Sequence, residues 1–369
     1  MTNESFLVEL QKPKVFEAFI NAGLRDSSFV PEWRNEIGEP QFCSSKAYVT
    51  EVAEYVSAMV GSVIDKNAEK ITHQLPVAKE LSGSIQRMGD EWQLDNDKLD
   101  QFYYMEGRYR DSLRRGSVFA SESQRQSITR YLYNMFENAV IAPHKRIDLL
   151  YFEGLYKGTQ TISNTNNKKS KIAFTYNLDV IYDKAQTYAW GDASHAADAT
   201  PIKDLLHAVG KAKEKGRRVI KIRMSQGTFY KMCQANEMKG KFEMKFTEVN
   251  STADVISVDA VNAYFKSIML PPIQVDESKF VSFADGTTAD LIPDDRVVLQ
   301  CVPTVAVLKM ADPLEAVDPI PNKTYTNYDG NLVGYWRSDR GRFTDYEMWA
   351  TPVFNSVNGH FILKTDETA

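Results

Sequence analysis

The side chains that most often carry acid–base, nucleophilic or metal chemistry are few and scattered in this sequence. Five histidines, His73, His144, His195, His207 and His360, have no ligating partner close by, and neither H-E-x-x-H nor C-x-x-C occurs. Zinc-ligand spacing is therefore absent, and each imidazole reads as a surface or hydrogen-bonded structural group. Three cysteines, Cys43, Cys233 and Cys301, are odd in number and far apart, which argues against a disulfide framework or a cysteine-built metal site. Nucleophile-elbow and phosphate-cradling glycine patterns are missing. The nearest cluster, Gly154-Leu-Tyr-Lys-Gly158, follows a helical stretch and reads as a helix stop. Asp294-Asp295 sits beside Pro293, the setting of a solvated turn rather than an acid–base couple. Carboxylates distant in sequence can still meet in a fold, so an α/β enzyme with a site assembled from dispersed residues stays as the alternative class. No catalytic, cofactor-binding or metal residue is expected.

The strongest positive run is Lys211, Lys213, Lys215, Arg217, Arg218, Lys221 and Arg223, broken by Glu214. Phosphate contact with nucleic acid uses such runs, but no aromatics interleave here. The chain as a whole carries 44 basic against 49 acidic side chains, a formal charge of −5. A solvated helix end, whose cations complement the helix dipole, is the better reading. Tyr335-Trp-Arg-Ser-Asp-Arg-Gly-Arg-Phe343 mixes aromatics with arginines and is read as strand–turn–strand rather than as a base-stacking platform. With 369 residues, 43% of them hydrophobic, the chain can bury two or three domains' worth of core and lies outside the disordered and collagen-like classes. No run nears the ~20 apolar residues that cross a bilayer. The start, MTNESFLVELQKPK, has no basic region followed by an apolar core, so no secretory signal is expected. With the cysteine usage, this points to a reducing compartment.

Periodicity supplies the elements that would position these residues. Residues 1–45 have broken periodicity around the apolar island Phe29-Val30-Pro31-Glu32-Trp33 and read as an extended arm that gains order by lying on something else. Val49, Val52, Val56, Met59 and Val63 recur every three or four residues, predicting a helix of about four turns ended by Gly61. From Ser84 to Leu94, apolar and polar residues alternate around Gly89-Asp90, an arm of a β-hairpin. A hairpin with so few apolar residues is stable mainly if another chain covers it; a long surface loop is the alternative. Trp33, Ile85, Met88 and Trp92 are thus candidate intersubunit contacts.

A helix is expected from about Asp97 to Arg115. The longest periodic segment follows, capped by Ser121 or Ser123, with Ile128, Leu132, Met135 and Phe136, then Ile147, Leu150 and Leu155, on one stripe. About 35 residues make a strut of roughly 50 Å, with a kink expected at Pro143. Residues 159–170 read as a polar connector, and Ile172, Phe174 and Tyr176 as a strand. Thr200-Pro201 opens a helix with Asp204 in its first turn, a buried face of Leu205, Leu206, Val209 and Ala212, and a stop at Gly216. Ile220, Ile222 and Met224 share a strand face, and Ser225 caps a further helix, together a compact α/β lobe. Beyond about 254, short strands at Val255–Val258, Val297–Val302 and Phe361–Leu363 alternate with turns.

Several of these residues carry a resemblance. Tyr188-Ala-Trp190-Gly-Asp192, followed by Asp198-Ala-Thr-Pro201-Ile-Lys-Asp204-Leu-Leu, is similar to the W-x-D…D-A-T-P-I-x-D-I/L signature of tailed-phage major capsid proteins of the lambda type, the major capsid protein E family. Met224-Ser225-x-x-Thr228-Phe-x-Lys231-Met232, the helix end at Glu153-Gly154-Leu155-x-x-Gly158, and Ala350-Thr-Pro352-Val353 with Gly359-His-Phe-Ile-Leu363 resemble further segments of that family. The matches span about 120–363. The resemblance implies an α+β fold of the Hong Kong 97 type. Its parts would be an N-terminal arm and helix (1–60), an extended E-loop hairpin (61–95), a peripheral domain (96–195) with a spine helix over about 121–158, an axial α/β domain (196–310), and a return to the peripheral sheet (311–369). It implies structural roles for Trp190, Asp192, Asp198, Thr200, Pro201 and Asp204, with Trp190 anchoring the junction between domains and Asp192 or Asp198 holding backbone amides.

The function so implied is a major capsid protein that self-assembles as pentamers and hexamers into an icosahedral head around double-stranded DNA. A phage-derived nanocompartment shell with enzyme cargo is a sub-option. Expected partners are the chain itself, a separately encoded scaffold, a portal and decoration proteins, with weak non-specific contact to packaged DNA and none to membrane. The expected location is the virion, after assembly in the cytoplasm of a host bacterium. A projecting arm and hairpin would let each subunit overlap several neighbours and bury more than the ~1,600 Å² of an ordinary interface.

Overall fold

The computed structural model describes residues 5–37, 39–52, 79–94, 96–116, 118–163, 166–167, 173–192, 194–246, 256–277, 279–283, 285–339, 341–356 and 358–369. The expected helix end at Gly61, with Val56, Met59 and Val63, lies outside the described residues, as do Ile172 and Val255. The chain divides into two compact units. One comprises Met1–Tyr48, Gly83–Asp148 and Leu308–Pro352; the other comprises Val49–Ser82, Leu149–Val307 and Val353–Ala369.

The first unit is a sheet covered by helices. Gln41–Phe42, Val307–Ala311, Gly341–Val353, Asn331–Ser338 and Lys323–Tyr328 lie side by side in that order, and Arg87–Met88 and Glu91–Gln93 also pair with the long strand Gly341–Val353. Residues 5–37 are helical rather than extended: Phe6–Glu9, Pro13–Ser27 and Glu32–Ile37. Phe16, Phe19, Ile20, Gly23 and Leu24 fall three, four, seven and eight residues apart, a helical stripe, and all are buried. Pro13 suits the first helical position because its missing N–H would have had no partner there. The stripe packs on the helix Val118–Lys157 and the sheet, with Phe16 and Phe136 ring centroids 5.7 Å apart and Phe136 and Tyr335 5.4 Å apart. The expected arm thus gains its order from the chain's own body.

The spine helix is 40 residues long, Val118–Lys157, about 60 Å at 1.5 Å per residue, and continues through Pro143. A proline there removes the N–H that would bond the carbonyl of Ala139. Asn331, fully buried on the neighbouring strand, donates its side-chain amide to Ala139 O at 2.9 Å and Val140 O at 3.0 Å. A strand side chain therefore replaces the missing helical bond.

Two expectations between residues 47 and 94 are corrected. Ala47–Val52 is a strand, paired with Lys79–Ser84, not the start of a helix. Spacings of three and four placed Val49 and Val52 on a helix, but a β-branched and aromatic run of Tyr48, Val49, Thr50 and Val52 favours a pleated surface. Residues 84–94 alternate as expected, yet Arg87–Met88 and Glu91–Gln93 pair with Gly341–Val353 rather than with each other. Alternation reports a half-buried strand, not its partner.

The second unit is built on a five-stranded mixed sheet in the order Ile273–Asp276, Lys221–Ser225, Arg296–Gln300, His360–Thr368, Ile181–Ala185. Its outer pairs are parallel and its inner pairs antiparallel. Helices Pro201–Glu214, Gln226–Gln234, Asn236–Phe246 and Val258–Ser267 contribute Leu205, Phe229, Met238 and Phe265 to one core with Ile222, Met224, Val297 and Leu363. The last strand belongs to this sheet, so the expected return of 311–369 to the first unit ends at Pro352. Residues 149–195 belong to this unit too. Val258 opens a helix, capped by Ser257, instead of closing a strand. The expected connector 159–170 begins as a strand, Thr159–Ile162, paired with Phe174–Asn177. Leu206 is exposed, off the helix's buried face.

Candidate functional site

The signature segment folds into one lock inside the second unit. Trp190 is buried, and its indole N–H donates to Asp204 Oδ2 at 2.7 Å. The other oxygen of Asp204 accepts the backbone N–H of Gln186 at 2.9 Å, and the Trp190 backbone N–H donates to Thr365 O at 2.7 Å. Helix Pro201–Glu214, the turn after strand Ile181–Ala185 and the C-terminal strand are thereby tied together. Burial pushes the Asp204 carboxyl above its ordinary range, opposed by the donors from Trp190 and Gln186. All these partners lie in one unit, so the expected anchoring of Trp190 at a junction between domains is replaced by a bond within the second. Asp204 is a buried acceptor rather than a dipole-facing surface charge.

Asp192 accepts the backbone N–H groups of Ser194 at 2.7 Å and His195 at 3.3 Å, and the Ser194 amide leads the effects that hold its carboxyl below the usual range. Asp198 is exposed at the end of the short turn Ala196–Asp198. Thr200 precedes the helix, but its hydroxyl bonds Thr187 instead of capping a backbone amide; Pro201 takes the first helical position. Ser225 does cap its helix, accepting the N–H of Thr228 at 3.0 Å.

The four candidate intersubunit residues separate. Trp33 has no exposed surface; its backbone N–H donates to Asp148 Oδ1 at 2.7 Å and its ring stacks on His144 at 6.0 Å. Ile85 is also buried within the chain. Neither can face a neighbour in this arrangement, which corrects the expectation for both. Met88 and Trp92 are half-buried, Trp92 against the Tyr346 ring at 5.8 Å. The side chains left outward are others: Met269 is 94% exposed on a turn of the second unit, and Val317 is 77% exposed in the first. Leu314, Ile320 and Phe42 are also exposed.

The basic run is not uniformly solvated as expected. Arg223 is buried and donates to Asp276 Oδ2 at 2.8 Å, while Lys211 pairs with Asp183 at 2.6 Å beside His207. Residue spacing could not reveal these pairs, because Asp183 and Asp276 arrive from distant strands. Among the described residues no group of three or more histidine, cysteine or acidic side chains could hold a metal ion. No helix among them is long and apolar enough to cross a membrane.

No protein-family model matches this chain, and no curated protein matches it either. Solved structures do. A protein assigned as the capsid protein of a prophage in Escherichia coli CFT073 is 12% identical, superposes with a TM-score of 0.55, and is matched over 95% of this chain and 98% of its own. A phage-related protein of Bordetella bronchiseptica RB50 is 10% identical with a TM-score of 0.45, over 95% and 97% of the two chains. The capsid asymmetric unit of cyanophage A-1(L) gives 11%, 0.46, 91% and 93%. Superposition on the first, nearly end to end in both chains, gives the molecule its fold: an α+β architecture of the Hong Kong 97 capsid type.

Proposed function

We propose that this chain is a major capsid protein of a tailed phage, assembling as pentamers and hexamers into an icosahedral shell around double-stranded DNA. The observation that carries the reading is the match over 95% of this chain and 98% of the prophage capsid protein. Outward apolar side chains support it. Met269 is 94% and Val317 77% exposed, and burying them in a lattice would recover about 25 cal/mol per Å² of apolar surface. The partners that go with this reading are further copies of the chain, a separately encoded scaffold and a portal, with decoration proteins outside and DNA held by weak non-specific contact. The net charge of −5 would limit sticking of an inner wall to DNA. The location is then the virion, after assembly in the host cytoplasm.

Co-expression with its neighbouring genes, followed by size-exclusion chromatography and negative-stain microscopy, tests the proposal. Closed particles tens of nanometres wide are expected. A small oligomer under every condition, with a turnover assay detecting hydrolytic or transferase activity, would support the enzyme reading instead.

A further inference from the structure

One cluster in the first unit does what neither core packing nor assembly requires. Lys323, on the edge strand Lys323–Tyr328, has a side chain only 4% exposed. Its ammonium lies 2.6 Å from Glu315 Oε2 and 2.5 Å from Asp345 Oδ2, where Asp345 belongs to Gly341–Val353, two strands away. The intervening strand places Gly334 opposite both Tyr325 and Asp345. Gly334 is what lets the lysine cross: a Cβ there would stand 2.2 Å from Lys323 Cε and 2.4 Å from Asp345 Oδ1. Aromatic rings wall the cluster. The Lys323 nitrogen is 4.5 Å from the Trp336 ring centre and 5.2 Å from that of Tyr325, and Phe343 stacks on Trp336 at 5.5 Å. The Tyr325 hydroxyl donates to Glu315 Oε2 at 2.7 Å and accepts the Ile320 N–H, fixing the glutamate.

A buried amine, a carboxyl group and a second carboxylate, the two acids about one fifth exposed, held together beside aromatic rings are the reactants and the proton carrier for amide condensation. We propose that Lys323 and Asp345 form an intrachain isopeptide bond, with Glu315 as the proton-transfer residue. Glu315 takes a proton from the Lys323 ammonium, and the freed Nζ lone pair attacks Asp345 Cγ. The C–N bond forms, one Asp345 oxygen leaves, and it departs as water carrying two of the three ammonium protons, one of them relayed through Glu315. The third stays as the amide N–H. Glu315 ends as it began, one positive and one negative charge are consumed, and no oxidant or other reactant is needed. Burial raises the Asp345 carboxyl above its ordinary range, most strongly by desolvation and against the pull of Lys323, which eases protonation, by the proton relayed through Glu315, of the oxygen that leaves. A bond here would join the edge strand to the long central strand across Gly334, fixing the sheet covalently whether or not the chain assembles.

Intact mass spectrometry of the purified, denatured full-length chain decides the matter. The native chain is expected one water lighter than its Lys323→Arg variant after allowing for the substitution, and a protease digest should yield a branched peptide joining Lys323 to Asp345. Glu315→Gln keeps the size and the hydrogen-bond acceptor but removes the proton carrier. Its condensation rate should fall at least about a hundredfold, the low end of general acid–base assistance. A native chain at its full sequence mass, with no branched peptide, overturns the proposal and leaves an ordinary buried ion pair. That readout needs no variant to fold. Condensation in Glu315→Gln equal to that of the native chain would remove Glu315 from the step.

Discussion

Asp204 shows how much one acceptor can hold. It takes N–H donors from Trp190 and Gln186 with no exposed surface of its own, so Asp204→Ala leaves the buried indole N–H of Trp190 without its acceptor. A loss of about 1–3 kcal/mol in denaturant unfolding is expected, and Asp204→Asn, which keeps an acceptor, should lose less. His144 and His360 each make stability depend on pH. Burial lowers His144 to about 3, assisted by the Arg34 charge, and burial lowers His360 to about 4. Both folded-state values lie below the ordinary 6.5, so between these limits the unfolded chain binds protons that the folded chain excludes. Stability from each is complete above pH 6.5 and falls as the pH drops toward 4. The His144→Gln variant retains hydrogen bonding without titrating. Relative to it, the native chain should lose about 1.4 kcal/mol per pH unit across that window. A pH-independent difference between the two would show that His144 is not buried neutral.

The long helix is the element where sequence and tertiary structure pull hardest against each other. Pro143 within a helix costs about 3 kcal/mol or more by itself, yet the helix runs on for fourteen more residues to Lys157. Asn331 offsets part of that cost through the Ala139 and Val140 carbonyls. Asn331→Ala should therefore destabilise by about 1–3 kcal/mol. Pro143→Ala restores the backbone donor, and the double variant should lose less than the sum of the two single changes, a coupling of about 0.5 kcal/mol or more in a double-mutant cycle. Strict additivity would mean that the asparagine does not replace the missing bond. Element identity was legible wherever period and caps agreed: Asn96–Arg114, Pro201–Glu214 and Gln226–Gln234 lie within a residue or two of expectation. It failed at Ala47–Val52, where a spacing of three read as helical but the β-branched and aromatic run favoured a strand, and over 5–37, where a helical stripe was hidden by charged neighbours.

At the scale of the whole molecule, the limbs expected to need sister copies differ in kind. The N-terminal segment is satisfied by its own unit through Phe16, Phe19 and Trp33, whereas Met269 and Val317 keep large apolar side chains in water. Assembly, on the proposed function, draws on the second group. Met269→Asp and Val317→Asp should leave the unfolding free energy of the unassembled chain within about 0.5 kcal/mol of the native value, as surface changes do. Each should cut particle yield severely under electron microscopy, because a charge in a buried contact is costly. Particles formed at native yield by both variants would place the lattice contacts elsewhere.

By itself, the sequence determined the class of the molecule: two lobes of mixed helix and strand, a strut through the middle of the chain, and the segment from Trp190 to Asp204 as a structural unit. Those features rest on local spacing, caps and turns, which the neighbouring residues dictate. Tertiary structure decided the partners. Only folding brings Asn331 to the carbonyl that Pro143 orphans, Asp204 to the indole of Trp190, and Lys323 across Gly334 to Asp345. Each pairing joins residues whose separation along the chain is set by topology, and hydrogen bonding has a range of about 3 Å in space with no period in sequence.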